Sequence, residues 1–98
     1  MQSLTNRQKR FLKSKAHHLN PIFQVGKQGV TDEMAKQINF ALEARELIKV
    51  NVLRNADVDA KEAGELLQQK TGAELIQTIG HIVVLYKPSE NEPTIQLP

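Results

Sequence analysis

The chain has 98 residues, 40% of them apolar, with three Phe, one Tyr, no Trp and no Cys. That suits one domain with one core built mainly of Leu, Ile, Val and Ala, and it excludes disulfides, thiolate chemistry and zinc sites built on cysteine. The net charge of +2 conceals an imbalance: residues 1–31 hold six Lys or Arg and no acid, while the remainder holds seven against eleven acids.

Leu4 to His18 has helical periodicity, with Thr5 and Gln8 spaced as a capping box. Leu4, Phe11 and Leu12 share one side of this helix. Lys9, Arg10, Lys13 and His17 cluster within about 100° on the other, and Lys15 falls near the apolar side. Asn20-Pro21 ends the helix. Ile22 to Val25 reads as a short strand that runs straight into Gly26-Lys27-Gln28-Gly29. Thr31 caps a second helix, Asp32 to Arg45, whose Met34, Ala35, Ile38, Ala41 and Leu42 form a buried face. Asp32 and Glu33 suit the positive end of its dipole.

Leu47 to Leu53 alternates, with Ile48, Val50 and Val52 facing one way and Lys49 and Asn51 the other, as in a strand covered on one side. Asp57 or Asp59 opens a third helix that reaches about Lys70, with Ala63, Leu66 and Leu67 as its stripe, and Thr71-Gly72 stops it. Glu74 to Ile79 is a third strand, and Gly80-His81 fits a two-residue hairpin with glycine first. Ile82 to Tyr86, apolar throughout, is a fourth and central strand. From Pro88 the sequence PSENEPTIQLP has three prolines and no periodicity. It predicts a loosely held tail over residues 89–98, in which Ile95 and Leu97 could still dock. The order αβαβαββ predicts a single two-layer α/β domain over residues 1–88.

Catalysis finds no footing. His17 and His18 are helix neighbours pointing about 100° apart, a poor chelating pair. Asn55-Ala56-Asp57-Val58-Asp59 imitates a calcium loop but puts Ala60 where that loop needs glycine and Leu66 where it needs glutamate. Ser3, Ser14 and Ser89 lie in no nucleophile elbow. The glycine loop is neither a P-loop nor a dinucleotide fingerprint. The expectation is a protein that is no enzyme, with no cofactor, no metal and no small-molecule substrate. No signal-peptide core opens the chain, and no stretch reaches the ~18 apolar residues of a membrane span. A soluble, cytoplasmic protein with no membrane partner is therefore expected.

The acid-free segment points to a polyanion such as nucleic acid, with a solvated basic helix as the plain alternative. GKQG sits between a strand and a helix start, where backbone N–H groups and the dipole can hold an anion. Glycines let a sugar–phosphate backbone come close, Lys27 adds charge, and Gln28 can bond phosphate or a 2′-hydroxyl. GXXG loops clamp nucleic-acid backbone in KH domains. As a motif alone GxxG is more often just a turn needing positive φ. The basic helix in the same segment favours the clamp.

LTNRQKRFLKSKAHHLNPIFQVGKQGVTDEMAKQINFALEARELIKVNVL resembles the first half of the CRM domain (chloroplast RNA splicing and ribosome maturation), and QTIGHIVVLYKP resembles its closing hairpin. The resemblance runs from about Leu4 to Pro88 and is to stand-alone, bacterial YhbY-type members. It implies a four-stranded mixed sheet with three helices, similar to the C-terminal domain of translation initiation factor three. It also implies RNA binding through Gly26, Lys27, Gln28 and Gly29, and association with ribosomal RNA in precursors of the large subunit. With it, Lys9, Arg10, Lys13 and Lys27 are the leading contact residues, followed by Arg7, Lys15 and His17. The family's closing motif often reads Tyr-Arg-Pro, but here it is Tyr86-Lys87-Pro88, which loses arginine's bidentate fork. The expected protein is an RNA-binding monomer assisting large-subunit assembly. The alternative is an adaptor whose basic helix docks on an acidic protein.

Overall fold

A computed structural model describes residues 3–98. Its elements are α1 (Asn6–Ala16), β1 (Pro21–Val25), α2 (Asp32–Arg45), β2 (Leu47–Val52), α3 (Ala60–Thr71), β3 (Glu74–Ile79) and β4 (Ile82–Tyr86), in the expected order αβαβαββ. Side chains fix the helix starts. Thr5 Oγ1 accepts the Gln8 N–H at 3.1 Å while Gln8 Oε1 accepts the Thr5 N–H at 3.0 Å, a complete capping box. Thr31 caps α2 by accepting the Met34 N–H at 3.1 Å. Asp59, rather than Asp57, caps α3 by accepting from Glu62 at 2.8 Å. At the hairpin, Gly80 has φ +56° between the paired residues Ile79 and Ile82, as a tight turn with glycine first requires.

The sheet is mixed, in the order β1-β2-β4-β3, with β1 parallel to β2 and β4 antiparallel to both its neighbours. β4 is an inner strand, as its unbroken apolar sequence implies. Its residues alternate between two cores. Val83 and Leu85 face a cluster containing Ile38 and Leu42 of α2 and Ala63 and Leu67 of α3. Val84 and Tyr86 face another containing Leu12 and Ala16 of α1. The two-layer expectation is therefore corrected: helices cover both faces and the sheet is the middle layer. The crossovers β1-α2-β2 and β2-α3-β3 move the same way across the sheet. The usual right hand of such connections puts both helices on one face. α1 belongs to no crossover and covers the other.

The stripe of α3 also differs from expectation. Leu66 is half-exposed, and Gly64 is buried instead. A Cβ on Gly64 would lie 2.9 Å from Leu75 Cδ1, so its absence lets α3 approach the sheet closely.

The tail has no helix or strand but is held more firmly than its prolines suggest. Glu46, just past α2, is 1% exposed. Its Oε1 accepts from the Thr94 N–H (2.7 Å), the Thr94 hydroxyl (2.9 Å) and the Ile95 N–H (2.9 Å), and its Oε2 from the Ser89 N–H (2.9 Å). Glu43 accepts from the Ser89 hydroxyl at 2.5 Å and the Glu90 N–H at 2.9 Å. Ile95 and Leu97, like Leu4 and Phe11, then pack against the α1-side core, and Gln8 Nε2 donates to the Pro98 carbonyl at 3.3 Å. An irregular segment satisfies its backbone here with carboxylates instead of a ladder.

Candidate nucleic-acid interface

β1 ends at buried Val25, whose carbonyl accepts the Leu53 N–H at 2.9 Å. The chain then turns. Gly26 C=O accepts the Gly29 N–H at 2.9 Å, which closes a four-residue turn with Lys27 and Gln28 exposed at its corners. Gly29 has φ +72°, a conformation that favours glycine. Gly26 has no such need. Its φ is not positive, and a Cβ there would meet only Leu53 Cδ1, at an ordinary 3.8 Å.

The helix start behind the loop is less open to an anion than the sequence suggests. The Gly29 N–H closes the turn, Thr31 takes the Met34 N–H, and Asp32 and Glu33 put negative charge in the first turn. Lys70 offsets part of that charge: its Nζ donates to Asp32 Oδ1 at 2.5 Å, and this bond, followed by the charge itself, holds the Asp32 carboxyl below its ordinary value. The side chains of Lys27 and Gln28 stand exposed at the loop for an anion.

On α1, Leu12 and Ala16 are buried, and Lys9, Arg10, Lys13 and His17 form one flank. Lys9 is half-buried and the other three are exposed. Arg7 is exposed and lies about 60° beyond Arg10 around the helix. Lys15 does not join them. It sits on the opposite flank with its Nζ 5.8 Å from the centre of the Phe11 ring, where cation–π attraction and stem packing account for its position.

The sheet adds residues that the sequence reading did not select. Paired residues on neighbouring strands share a face. Lys49 and Gln77 both pair with Val84, whose side chain belongs to the α1-side core. They therefore flank it on that face, about 10 Å apart at ordinary strand spacing. The next row on the face is Gln24, Asn51, Ile82 and Ile79. Gln24 and Ile79 are exposed in this row. Beyond it comes the GKQG loop, roughly 16 Å from Pro21 along β1. One continuous strip thus joins α1 to the loop. The alternation of β2 already turned Lys49 and Asn51 away from Ile48. The sequence did not say that α1 lies on their side.

Not every cation is open to a ligand. Lys87 donates to the Thr71 carbonyl at 2.8 Å and to Asn39 Oδ1 at 3.2 Å. Its role here is to cap the end of α3, on the other side of the sheet from α1.

The fold agrees with a comparison to known proteins. The model of the CRS1 / YhbY (CRM) domain matches residues 4–87, and the chain belongs to that family. It is 59% identical over 95 residues to the "Probable RNA-binding protein YqeI" of Bacillus subtilis, covering 97% of this chain and 99% of that one. An "RNA-binding protein" of Haemophilus influenzae is 48% identical, with 100% and 98% covered. The solution structure of protein SAV1595 from Staphylococcus aureus superposes with a TM-score of 0.81 at 50% identity, covering 98% of this chain and all of the other.

Proposed function

We propose that this protein is a non-catalytic, cytoplasmic RNA-binding module that acts as a monomer on structured ribosomal RNA and assists assembly of the large ribosomal subunit. Gly26 and Gly29 admit the sugar–phosphate backbone, Lys27 and Gln28 bond it, and Lys9, Arg10, Lys13 and His17 extend the contact along α1. Arg7 and Lys15 contribute at longer range. The observation that carries this reading is Gly26. The fold gives no internal reason for glycine there, whereas close approach of an external backbone does. The names of the relatives support RNA as the partner. The ribosomal assignment rests on family resemblance.

Crosslinking in cells, followed by sequencing of the bound RNA, tests the ribosomal part. Precursors of large-subunit RNA should dominate the map, and Lys27→Ala should thin it. A map dominated by messenger RNA contradicts the assembly role and leaves RNA binding intact. A stable protein complex that survives nuclease treatment, with GKQG substitutions silent, supports the adaptor reading instead.

A further inference from the structure

Where the end of α1 crosses the sheet there is a cleft of about 360 Å³. Its floor is Val84, 1% exposed. Lys49 and Gln77 rise on either side from the sheet, and Lys13, His17 and His18 close it from above. The two imidazoles meet edge to face, with centroids 5.5 Å apart and planes at 82°. No acidic residue lines the cleft, and neither lysine is ion-paired among the described residues.

We infer that this cleft takes one unpaired nucleotide of the bound RNA, its phosphate held by Lys13 and Lys49 and its base packed on imidazole within reach of the Gln77 amide. The inference rests on the RNA reading above and gives it a second contact point. The chemistry suits a nucleotide better than a bare phosphate. Two cations alone would serve phosphate. An apolar floor, a π surface and an amide that both donates and accepts are what a base requires. The volume lies in the ~300–1,000 Å³ range of small-ligand clefts. Position also fits, because the open row Gln24-Asn51-Ile82-Ile79 leads from the cleft to the GKQG loop. A strand clamped at the loop can follow the sheet and deliver its next unpaired base to the cleft.

The test uses RNA hairpins identical except for one unpaired nucleotide, made with each of the four bases, and measures affinity by fluorescence anisotropy at fixed salt. Wild-type protein should bind at least one bulged hairpin more tightly than the fully paired one, by roughly fivefold or more, the low end of what one stacked base contributes. Gln77→Ala and His18→Ala should bring that ratio close to one while keeping affinity for the paired hairpin. Lys36→Ala, on α2 across the sheet, should keep the ratio. Equal wild-type affinity for paired and bulged hairpins overturns the cleft, as does an unchanged ratio in both variants. Amide chemical shifts of wild-type protein titrated with the preferred hairpin give a check that needs no variant to fold. Shifts at Lys13, His18, Lys49 and Gln77 support the cleft, and shifts confined to residues 26–29 overturn it. If wild-type protein binds no hairpin, the RNA reading itself fails.

Discussion

At the scale of single residues, the two glycines of the loop call for different explanations. Gly29 sits at φ +72°, so Gly29→Ala should destabilise the fold by roughly 1–2 kcal/mol, the cost of left-handed backbone for an ordinary residue. Gly26→Ala has room and a permitted φ, so its melting temperature should stay near wild type while affinity for structured RNA drops. Thermal unfolding and binding measured on both variants distinguish the cases. A Gly26→Ala protein that binds normally would remove the reason for glycine at that position. Lys15 sits where the helical period put it, near the apolar side of α1. Its basic character put it among the contact candidates, and its packing over Phe11 sets it apart from the Lys9-Arg10-Lys13 flank.

At the scale of elements, the end of α2 organises the tail. Burial pushes the Glu46 carboxyl up, but hydrogen bonds from Ser89, Ile95 and Thr94 outweigh it and hold the group below its ordinary value. The Ser89 hydroxyl, then the Glu90 N–H, does the same for Glu43. A carboxyl lowered in the folded state contributes stability that is fully present above the usual value of 4.5. That contribution is lost as pH falls through the lowered folded values. The melting temperature should therefore decline below about pH 4.5, and less steeply in Glu46→Gln than in wild type. At neutral pH, Glu46→Gln replaces one of the two acceptor oxygens with an NH2 donor, which leaves at least one of the four N–H or O–H groups facing a donor, and should cost about 2 kcal/mol. That is roughly a 10 °C drop in melting temperature for a domain of this size, and an unchanged melting curve would contradict the clasp. Deleting the side chain of Leu12, 0% exposed under α1, should cost about 3 kcal/mol and loosen the basic helix.

These elements also show what the sequence could convey. Caps and period placed α2, β3 and β4 at their observed ends, because Thr31, Gly80 and the apolar runs act locally. The layers were harder to read. The unbroken apolar run of β4 already carried the signal for cover on both faces, but α1 belongs to no crossover, so no local rule sent it to the second face. That Ile95 and Leu97 could dock was legible from their apolar side chains, but the carboxylates that hold the tail were not, because Glu43 and Glu46 lie more than forty residues away.

At the scale of the whole molecule, the basic segment and the sheet make one surface. The cations selected from sequence cover its two ends, the α1 flank and the GKQG turn, while Lys49 and Gln77 between them depended on strand register. The acids mostly lie elsewhere, and Lys70 and Lys87 are engaged internally. In the proposed reading this surface holds RNA mainly through phosphates, so affinity should follow counterion release. The most direct test is the affinity of the full chain for structured large-subunit RNA between low and moderate salt, for wild type and Lys27→Ala. Log affinity should fall with log salt by roughly 0.7–0.9 per phosphate neutralised. Lys27→Ala should weaken binding to many RNAs alike and make the slope shallower by about one. Wild-type affinity that stays flat across that salt range, or a slope that Lys27→Ala leaves unchanged, would contradict a phosphate clamp at the GKQG loop.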